Sequence, residues 1–257
     1  MIWSPSRTQQ WLKCPRFWEL ACAGAEERRE RGWTPAMIAG TAVHAGFASL
    51  MKREGITDAL TAAGESLNEN WPQECGDWDF STVRNKVDKA VMKLVDVPDE
   101  LLADDGWPVS IEEQLDGTEE DRKRGTYQGT PDLITEHGEA DGRYLCVTDL
   151  KTHWTLDDVY VERDQNDTRH SWQMYQYAWF GQEKYGKPVR AIRKVTVRLS
   201  PAPKVWTFTW PVRTEDLEQW HRSAQVVWEG MNTADVWENW TNCRTSFGRC
   251  GFYHVCH

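Results

Sequence analysis

The chain has 257 residues, 40% of them hydrophobic and 27% charged, a composition typical of a folded globular protein. That length fits one large domain or a domain with a sizeable elaboration. The sequence has no run of about 18 apolar residues, which argues against a membrane-spanning helix. Its first residues lack a signal-peptide pattern, so we expect a cytoplasmic protein.

The charge is unevenly distributed along the chain. A net charge of −10 at pH 7 argues against a broadly basic nucleic-acid-binding surface. Six basic residues, without an acidic one, nevertheless fall between positions 184 and 198: Lys184, Lys187, Arg190, Arg193, Lys194 and Arg198. A second basic cluster covers 122–124. Each cluster is either a solvated face or a DNA-facing one.

The N-terminal part, 1–105, is predicted to be helical. Apolar spacing and capping residues predict helices over 5–21, 35–52, 58–70 and 81–103. The last of these repeats valine every four residues, at Val83, Val87, Val91 and Val95, which indicates an amphipathic helix.

The pattern then changes to short apolar segments separated by polar turns. Strands are expected over 108–115, 126–135 and 143–150, then a helix over 168–185, strands over 190–199 and 204–210, and a helix over 214–231. This core, 106–232, indicates a central mixed β-sheet flanked by helices, in the α/β or α+β class. A cysteine-rich tail, 233–257, follows, and we expect the whole chain to form a single domain.

Two strands carry acidic residues with an adjacent lysine. Asp132 lies in GTPDLI, and Asp149 and Lys151 lie in VTDLKT on one face of a strand. Buried carboxylates are costly without a partner, and two of them with the carbonyl of Leu150 form an oxygen-rich site suited to Mg²⁺ or Mn²⁺. The lysine would orient water or stabilise charge on a phosphate. The alternative is that these are ordinary strand-end polar residues.

Three further polar residues lie on predicted helices. His44 has small neighbours, including Gly46, that allow another element to approach closely, although a lone helical histidine is usually structural. Gln173 and Tyr177 are four residues apart and share a helix face. They would contact substrate, brace the lysine and metal ligands, or simply pack.

With these motifs the chain resembles the PD-(D/E)XK nuclease superfamily, and more narrowly its RecB-like branch, which includes CRISPR-associated and phage-encoded exonucleases. GTAVH is similar to that branch's GxxxH-type motif, and WQMYQYAWF to its QxxxY motif. The resemblance implies a restriction-endonuclease-like core. Its implied metal ligands are His44, Asp132, Asp149 and Leu150, and its implied catalytic residues are Asp132, Asp149, Lys151, Gln173 and Tyr177.

The resemblance implies a metal-dependent exonuclease that hydrolyses DNA, with a preference for single strands or free ends, in DNA processing or recombination. Sixteen tryptophans offer surfaces on which unpaired bases can stack. The alternative is a DNA-end-binding or assembly protein with little cleavage activity. Glu112 and Glu113 precede the catalytic strands, and at most one of them can face the site because adjacent strand residues point to opposite faces.

The seven cysteines, without a secretory signal, argue against a disulfide scaffold. In the RecB-like branch an N-terminal Cys-Pro and three C-terminal cysteines hold a [4Fe–4S] cluster. The resemblance therefore assigns a cluster to Cys14, Cys243, Cys250 and Cys256. The alternatives are a zinc site that recruits His254 or His257, Cys22 in place of Cys14, or a zinc-ribbon-like interaction module.

Overall fold

The computed structural model describes residues 2–3, 5–14, 34–72, 78–103, 106–117, 119, 121, 126–138, 142–169, 171–233, 244–245 and 248–249. The chain divides into two compact units. The smaller comprises 1–32, 116–129 and 218–257, and the larger comprises 33–115 and 130–217. The expected single domain over 1–257 stays a prediction.

The secondary structure of the described residues is as follows. The helices are α1 (Pro5–Lys13), α2 (Pro35–Met51), α3 (Ile56–Asn70), α4 (Phe80–Lys93), α5 (Val97–Leu101), α6 (Asp158–Arg169), α7 (Trp172–Tyr185) and α8 (Thr214–Thr233). The strands are β1 (Ile2–Trp3), β2 (Trp107–Ile111), β3 (Leu115–Asp116), β4 (Thr126–Gly129), β5 (Leu133–His137), β6 (Tyr144–Thr155), β7 (Val189–Ser200), β8 (Lys204–Pro211), β9 (Arg244–Thr245) and β10 (Gly248–Arg249).

The larger unit is built on a five-stranded sheet in the order β2–β5–β6–β7–β8. β6 and β7 pair in parallel, with Asp149 opposite Lys194, and the other neighbouring strands are antiparallel. β6 is therefore the central strand of a mixed sheet with helices packed on it, which confirms the expected fold class.

One face of this sheet is covered by α2, α3 and α4. Their apolar side chains form one core with Leu133, Leu150 and Val195 of the sheet. The helices approach closely because glycine lies at their contacts: a Cβ on Gly46 would be 2.7 Å from Val91. α2 begins at a cap in which Thr34 accepts a hydrogen bond from the backbone N–H of Met37, with proline at the first helical position.

The opposite face of the sheet is covered by α7. Met174 and Phe180 are buried there, and a Cβ on Gly181 would be 3.2 Å from the Cδ1 atom of Ile134. α7 ends at Gly186, whose φ of 65° is the left-handed conformation that glycine adopts without steric cost. The sheet is thus enclosed on both sides, with β6 between α2 and α7.

Three helix predictions need correction. α1 ends at Lys13 rather than at 21, because the residue before a proline avoids helical geometry, and 15–21 lie outside the described residues. The expected helix over 81–103 is two helices, since Pro98 cannot continue the hydrogen bonding of α4 and instead begins α5. The expected helix over 168–185 starts at Trp172, and α6 precedes it without having been predicted.

Two strand predictions are also interrupted. The segment 108–115 breaks at Glu112, whose φ of 50° is incompatible with a continuous strand. The segment 126–135 breaks at 130–132, between β4 and β5, and β6 extends to Thr155. The predicted strands over 190–199 and 204–210 are confirmed as β7 and β8. No described helix combines the length and apolarity needed to cross a bilayer.

The smaller unit contains α1, most of α8, and the parallel pair of β1 and β4. Trp11 of α1 is buried and lies against α8, where a Cβ on Gly230 would be 3.3 Å from its indole ring. The fully buried Asp121 places its carboxylate 3.1 Å from His221 Nε2. This contact gives the buried carboxylate a hydrogen-bonding partner.

Candidate active site

Asp132 immediately precedes β5 and is buried. Its Oδ1 atom lies 2.6 Å from Nδ1 of His44, and its Oδ2 atom accepts a hydrogen bond of 2.7 Å from the backbone N–H of Leu150. The ladder between β5 and β6 ends at the pair Leu133–Thr148. The Asp132 carboxylate therefore occupies the place where a longer β5 would offer a backbone carbonyl to Leu150.

Asp149 is buried on the face of β6 that α7 covers. Lys151 Nζ lies 3.0 Å from its Oδ1 atom and 2.9 Å from its Oδ2 atom. Gln173 donates a hydrogen bond of 3.3 Å to the same carboxylate, and its Nε2 also lies 2.8 Å from the Tyr177 hydroxyl. The four side chains thus form one connected group, with the lysine 40% exposed at its outer end.

Glu112 approaches from the end of β2. Its backbone N–H donates to the carbonyl of Asp132 at 3.0 Å, and its carboxylate joins those of His44 and Asp132 in a group whose donor atoms lie within 4.8 Å of one another. Glu113 points elsewhere and pairs with Lys184 and the Tyr185 hydroxyl. Of the two glutamates, Glu112 is therefore the one at the site.

The site carries more negative charge than its own cations offset. Burial raises the pKa of Asp149, and the charge of Asp132 raises it further against the opposing effect of Lys151. Burial and the charge of Asp132 also raise the pKa of Glu112. Crowded, partly desolvated carboxylates resist ionisation in this way unless a cation joins them.

His44 responds to the same charges in the opposite sense. Burial alone would lower its pKa, but the hydrogen bond to Asp132 and the negative charges of Asp132 and Asp149 outweigh burial and raise it. Tyr177 is held as the neutral phenol, because burial raises its pKa and the nearby carboxylates raise it further. It therefore remains a hydrogen-bonding hydroxyl at physiological pH.

The donor set fits a divalent cation. An imidazole nitrogen with two carboxylate oxygens, from His44, Glu112 and Asp132, is a combination that Mn²⁺ and Mg²⁺ sites use. Asp149 stands beside this group with its oxygens turned to Lys151 and Gln173. The structure thus brings every non-cysteine site residue expected from the sequence into one region, and it adds Glu112, which sequence reasoning had considered only as one of two possibilities.

A cavity of about 560 Å³ opens at His44 and Glu112, two members of this candidate metal-binding group. It is lined by Ala36, Met37, Gly40, Thr41, His44, Glu112, Thr152 and Trp154. Gly40 allows α2 to lie directly against β6 there, since a Cβ on Gly40 would be 2.5 Å from Oγ1 of Thr152.

The chain matches the PD-(D/E)XK nuclease superfamily over residues 2–257. It belongs to that superfamily. Membership implies a hydrolytic nuclease with DNA as its substrate and a divalent metal in its active site, and the geometry around Asp132 agrees with such a metal. The expected superfamily and the restriction-endonuclease-like core are confirmed.

Two solved structures are similar to this PD-(D/E)XK protein. One, from Eubacterium rectale, is named "Putative exonuclease"; it is 12% identical, with a TM-score of 0.54 over 93% of this chain and 85% of that chain. Another, named SSO0001, is 11% identical with a TM-score of 0.37 over 99% of this chain and 85% of that one. The first supports the fold alone. No curated protein matches the chain.

The cysteine sites expected in this PD-(D/E)XK protein fall mostly outside the described residues. Cys14 lies directly after α1 and is half-buried, whereas Cys243, Cys250 and Cys256 are not among the described residues. Cys146 is buried within β6, and burial raises the pKa of its thiol, as expected of an ordinary strand residue.

The basic residues between 184 and 198 do not form one DNA-facing surface. Lys187 pairs with Glu136 at 2.6 Å, and Arg193 donates to the carbonyl of Leu101 at 3.1 Å. Lys184 pairs with Glu113, and Arg198 donates to the carbonyl of Leu156. These residues connect neighbouring elements of the larger unit. The other cluster, 122–124, lies outside the described residues.

Proposed function

We propose that this PD-(D/E)XK protein is a Mg²⁺- or Mn²⁺-dependent deoxyribonuclease that acts as an exonuclease on single-stranded ends, in DNA processing or recombination. The observation that carries the proposal is the convergence of His44, Glu112 and Asp132 within 4.8 Å, beside the Asp149–Lys151 pair. The exonuclease and single-strand assignments rest on the RecB-like motifs, GTAVH and QxxxY.

The proposed metal ligands are His44, Asp132, Asp149 and the carbonyl of Leu150, with Glu112 added. The Leu150 N–H points towards Asp132, and within a strand the N–H and C=O of one residue point to the same side. That carbonyl is accordingly directed to the side of β6 where β5 has ended. A divalent cation held by these residues would supply positive charge to the phosphate and lower the pKa of the attacking water.

Lys151 is the proposed catalytic lysine. Its hydrogen bonds to Asp149 hold the ammonium group at the edge of the carboxylate cluster, and its 40% exposed side chain is accessible to a phosphate oxygen. In the hydrolysis, a water oxygen forms a bond to phosphorus as the bond from phosphorus to the leaving sugar oxygen breaks. One proton of that water ends on the leaving oxygen, and Lys151 stabilises the negative charge that develops.

Gln173 and Tyr177 are proposed to position Asp149 and to bind substrate from the α7 side. Gln173 connects the tyrosine hydroxyl to the carboxylate through its single amide nitrogen. Four-residue spacing on α7 sets that connection, because such residues are neighbours on a helix surface. Loss of Gln173 would leave Asp149 held by Lys151 with greater freedom.

A [4Fe–4S] cluster held by Cys14, Cys243, Cys250 and Cys256 is part of the same proposal, with Zn²⁺ as the alternative metal. Its support is the sequence spacing and the RecB-like resemblance. Anaerobically purified protein should show a brown absorbance at about 400 nm together with stoichiometric iron. Stoichiometric zinc without that absorbance would favour the zinc site instead.

The nuclease proposal is tested with end-labelled linear and closed circular single-stranded DNA, with duplex DNA for comparison. With Mn²⁺ or Mg²⁺ the protein should shorten linear single strands fastest and leave circles intact, and chelation should stop the reaction. Lys151→Ala should lower the rate by about 100-fold or more. Lys204→Ala is the matched control, because that lysine is similarly exposed and pairs with Asp158 on another part of the unit.

Undiminished degradation by Lys151→Ala would contradict the assigned role of the lysine. Cleavage of circles would make the protein an endonuclease. Tight binding of DNA ends without metal-dependent turnover would favour the end-binding or assembly protein instead.

A further inference from the structure

The cavity beside the metal-binding group has walls of two kinds. His44 and Glu112 form one end, and they are the ionisable residues among its lining. The remaining walls are small, apolar or hydroxyl-bearing: Ala36, Met37, Gly40, Thr41, Thr152 and Trp154. It is an open depression rather than an enclosed chamber, and its volume of about 560 Å³ falls within the roughly 300–1,000 Å³ of small-molecule pockets.

Trp154 is one of the residues that line this cavity, and neighbouring side chains pack against it. Trp78 packs against it at 4.5 Å between ring centroids in an edge-to-face arrangement. The ammonium of Lys86 lies 5.4 Å from the Trp154 ring centroid and donates to the Ser200 hydroxyl at 3.0 Å. A tryptophan fixed in this way presents aromatic surface to a ligand at little further entropic cost.

Met37 also lines the cavity, from α2, and it is 56% exposed. An exposed methionine near the N-terminal end of a helix contributes nothing evident to the core, since the buried face of α2 is formed by other residues. Thioether sulfur makes favourable contacts with aromatic rings. Met37 and Trp154 therefore offer a flat aromatic group two complementary surfaces.

The cavity is continuous with the proposed metal site along α2. Met37, Thr41 and His44 recur on one face of the helix, so the distance from the first to the last is about 10 Å at 1.5 Å rise per residue. Stacked nucleotides rise by about 3.4 Å each along a strand. A phosphate at His44 would thus place one of the next few nucleotides against Met37 and Trp154.

We propose that this cavity binds an unpaired nucleobase of the DNA strand close to the phosphate under attack. The inference rests on the proposed nuclease function and adds the base-binding residues Met37 and Trp154. A base paired in a duplex is stacked between neighbours, so only an unpaired or frayed base enters the cavity. The cavity thereby gives a physical origin to a preference for single strands.

Such a pocket also suits the acidic character of the chain. Binding through aromatic and thioether contacts does not depend on a basic surface, and the net charge of −10 then opposes binding less than it would for a phosphate-tracking groove. We accordingly expect the affinity for single strands to depend only weakly on salt concentration when divalent metal is present.

The test measures binding of a short single-stranded oligonucleotide to the Lys151→Ala protein in the presence of Ca²⁺, using 2-aminopurine fluorescence at successive positions from the end. One position should be quenched more than the others. Adding Met37→Glu should weaken binding by about 5- to 100-fold, the range for loss of one stacked base. The matched control, Met92→Glu, adds the same charge at a methionine that is 53% exposed on α4 away from the cavity, and it should change binding by less than about 2-fold.

A second variant, Trp154→Ala, tests the pocket without adding a negative charge that would repel DNA. An abasic residue at the quenched position should weaken binding to the Lys151→Ala protein. In the double variant Lys151→Ala/Trp154→Ala the same abasic residue should lower the affinity only slightly further, because the side chain that contacts the base is already absent. Trp154 packs on the core, so its folding is checked by thermal melting, and the exposed Met37 variant carries the test if Trp154→Ala unfolds.

The outcomes separate the two proposals. Equal binding by the Met37 and Met92 variants, without an abasic effect, overturns the base pocket and leaves the nuclease proposal standing. A second outcome combines two results: binding depends on the base and is abolished by Met37→Glu, but the wild-type protein cuts no DNA. That outcome supports the pocket and overturns the nuclease proposal.

Discussion

Two buried carboxylates lie near opposite ends of β5, and the charges of the side chains around them differ. Glu136, within the strand, is 3% exposed and has two cationic partners, Lys187 at 2.6 Å and Arg143 at 3.5 Å. Asp132, just before the strand, is 8% exposed and lies beside His44 and two further acidic residues, Glu112 and Asp149, of which Asp149 is paired with Lys151. One end is neutralised by the protein itself, and the other accumulates like charge.

The contrast separates a structural carboxylate from one prepared for an external cation. A protein that needs a buried acid only for folding supplies its counter-charge, because an unpaired buried charge is strongly destabilising. Around Asp132, burial and then the charge of Asp132 raise the pKa values of Asp149 and Glu112, so these carboxylates resist ionisation. The missing positive charge at that end is what a divalent metal would contribute.

The largest expected effect is on turnover. Asp132→Asn should lower metal-dependent cleavage by about 1,000-fold, because it removes a charged ligand and leaves His44 without its carboxylate partner. The measurement is the initial rate on labelled single strands. At pH values above the folded-state pKa of His44, the metal-free Asn variant should unfold no earlier than wild type, since the substitution relieves like-charge crowding. A variant that melts well below wild type would show that Asp132 is a structural residue like Glu136.

Metal should stabilise the folded protein. At a concentration about 100 times its Kd, Mn²⁺ should add about 2.7 kcal/mol to the free energy of unfolding, which is read as a rise in melting temperature. His44→Ala should reduce that rise sharply, and Lys187→Ala should retain it. An equal rise in both variants would place the metal elsewhere in the protein.

The metal-dependent rise should grow with pH. Metal requires neutral His44 and ionised carboxylates, and the pKa of His44 is raised above its ordinary value of about 6.5. Without metal the sign is opposite: the raised pKa of His44 contributes stability below about pH 6.5 that is lost as pH rises through the folded-state value. Between about pH 6 and pH 8, the melting temperature should therefore fall for the metal-free protein while the metal-induced rise increases.

Lys187→Ala should act on stability alone. Glu136 would keep only the longer contact with Arg143. We expect the free energy of unfolding to fall by about 2 kcal/mol, which is less than the roughly 3–5 kcal/mol lost when a buried charge is left with no partner. Denaturant titration measures the loss. Cleavage per folded molecule should remain within about 2-fold of wild type. A proportionate loss of activity and stability would mean that the two ends of β5 are coupled.

The smallest effect separates two helical glycines. Gly40→Ala would place a methyl group 2.5 Å from Oγ1 of Thr152 and push α2, with His44, away from β6. Gly64→Ala meets the guanidinium of Arg84, which would have to shift from its contacts with Asp88 and the Leu60 carbonyl. Helix propensity offsets that loss by about 1 kcal/mol, so we expect the second variant to keep the metal affinity of wild type and the first to weaken metal binding several-fold. Isothermal titration with Mn²⁺ compares them, and equal affinities would show that the contact with Thr152 does not set the position of His44.

The sequence predicted the elements that local rules determine. β7 and β8 follow from their apolar patterns, and α2 follows from the apolar spacing over 35–52. It missed α6, because that helix has exposed apolar residues such as Val159 and Tyr160 and no apolar stripe from which a buried face could be recognised. The break between α4 and α5 was marked by Pro98, whose effect the regular valine spacing obscured.

The sequence identified most of the residues at the site but not how they are arranged in space. The motifs single out Asp132, Asp149 and Lys151, and residue spacing places the last two on one strand face. The choice of Glu112 over Glu113 depends on a left-handed backbone conformation at position 112, which glutamate seldom adopts and which no residue pattern signals. The base cavity depends on how α2 crosses β6, and tertiary packing alone sets that crossing.

The position of Asp132 in the ladder has a consequence for how such a protein can evolve. Its carboxylate takes the N–H of Leu150, which one more pair of strand residues would otherwise take. A longer β5 and the Asp132 carboxylate therefore compete for the same N–H group, that of Leu150. Substitutions at 130–132 that lengthened β5 would make a better sheet and a poorer enzyme, so selection for thermostability without selection for activity would be expected to erase the site by extending a strand.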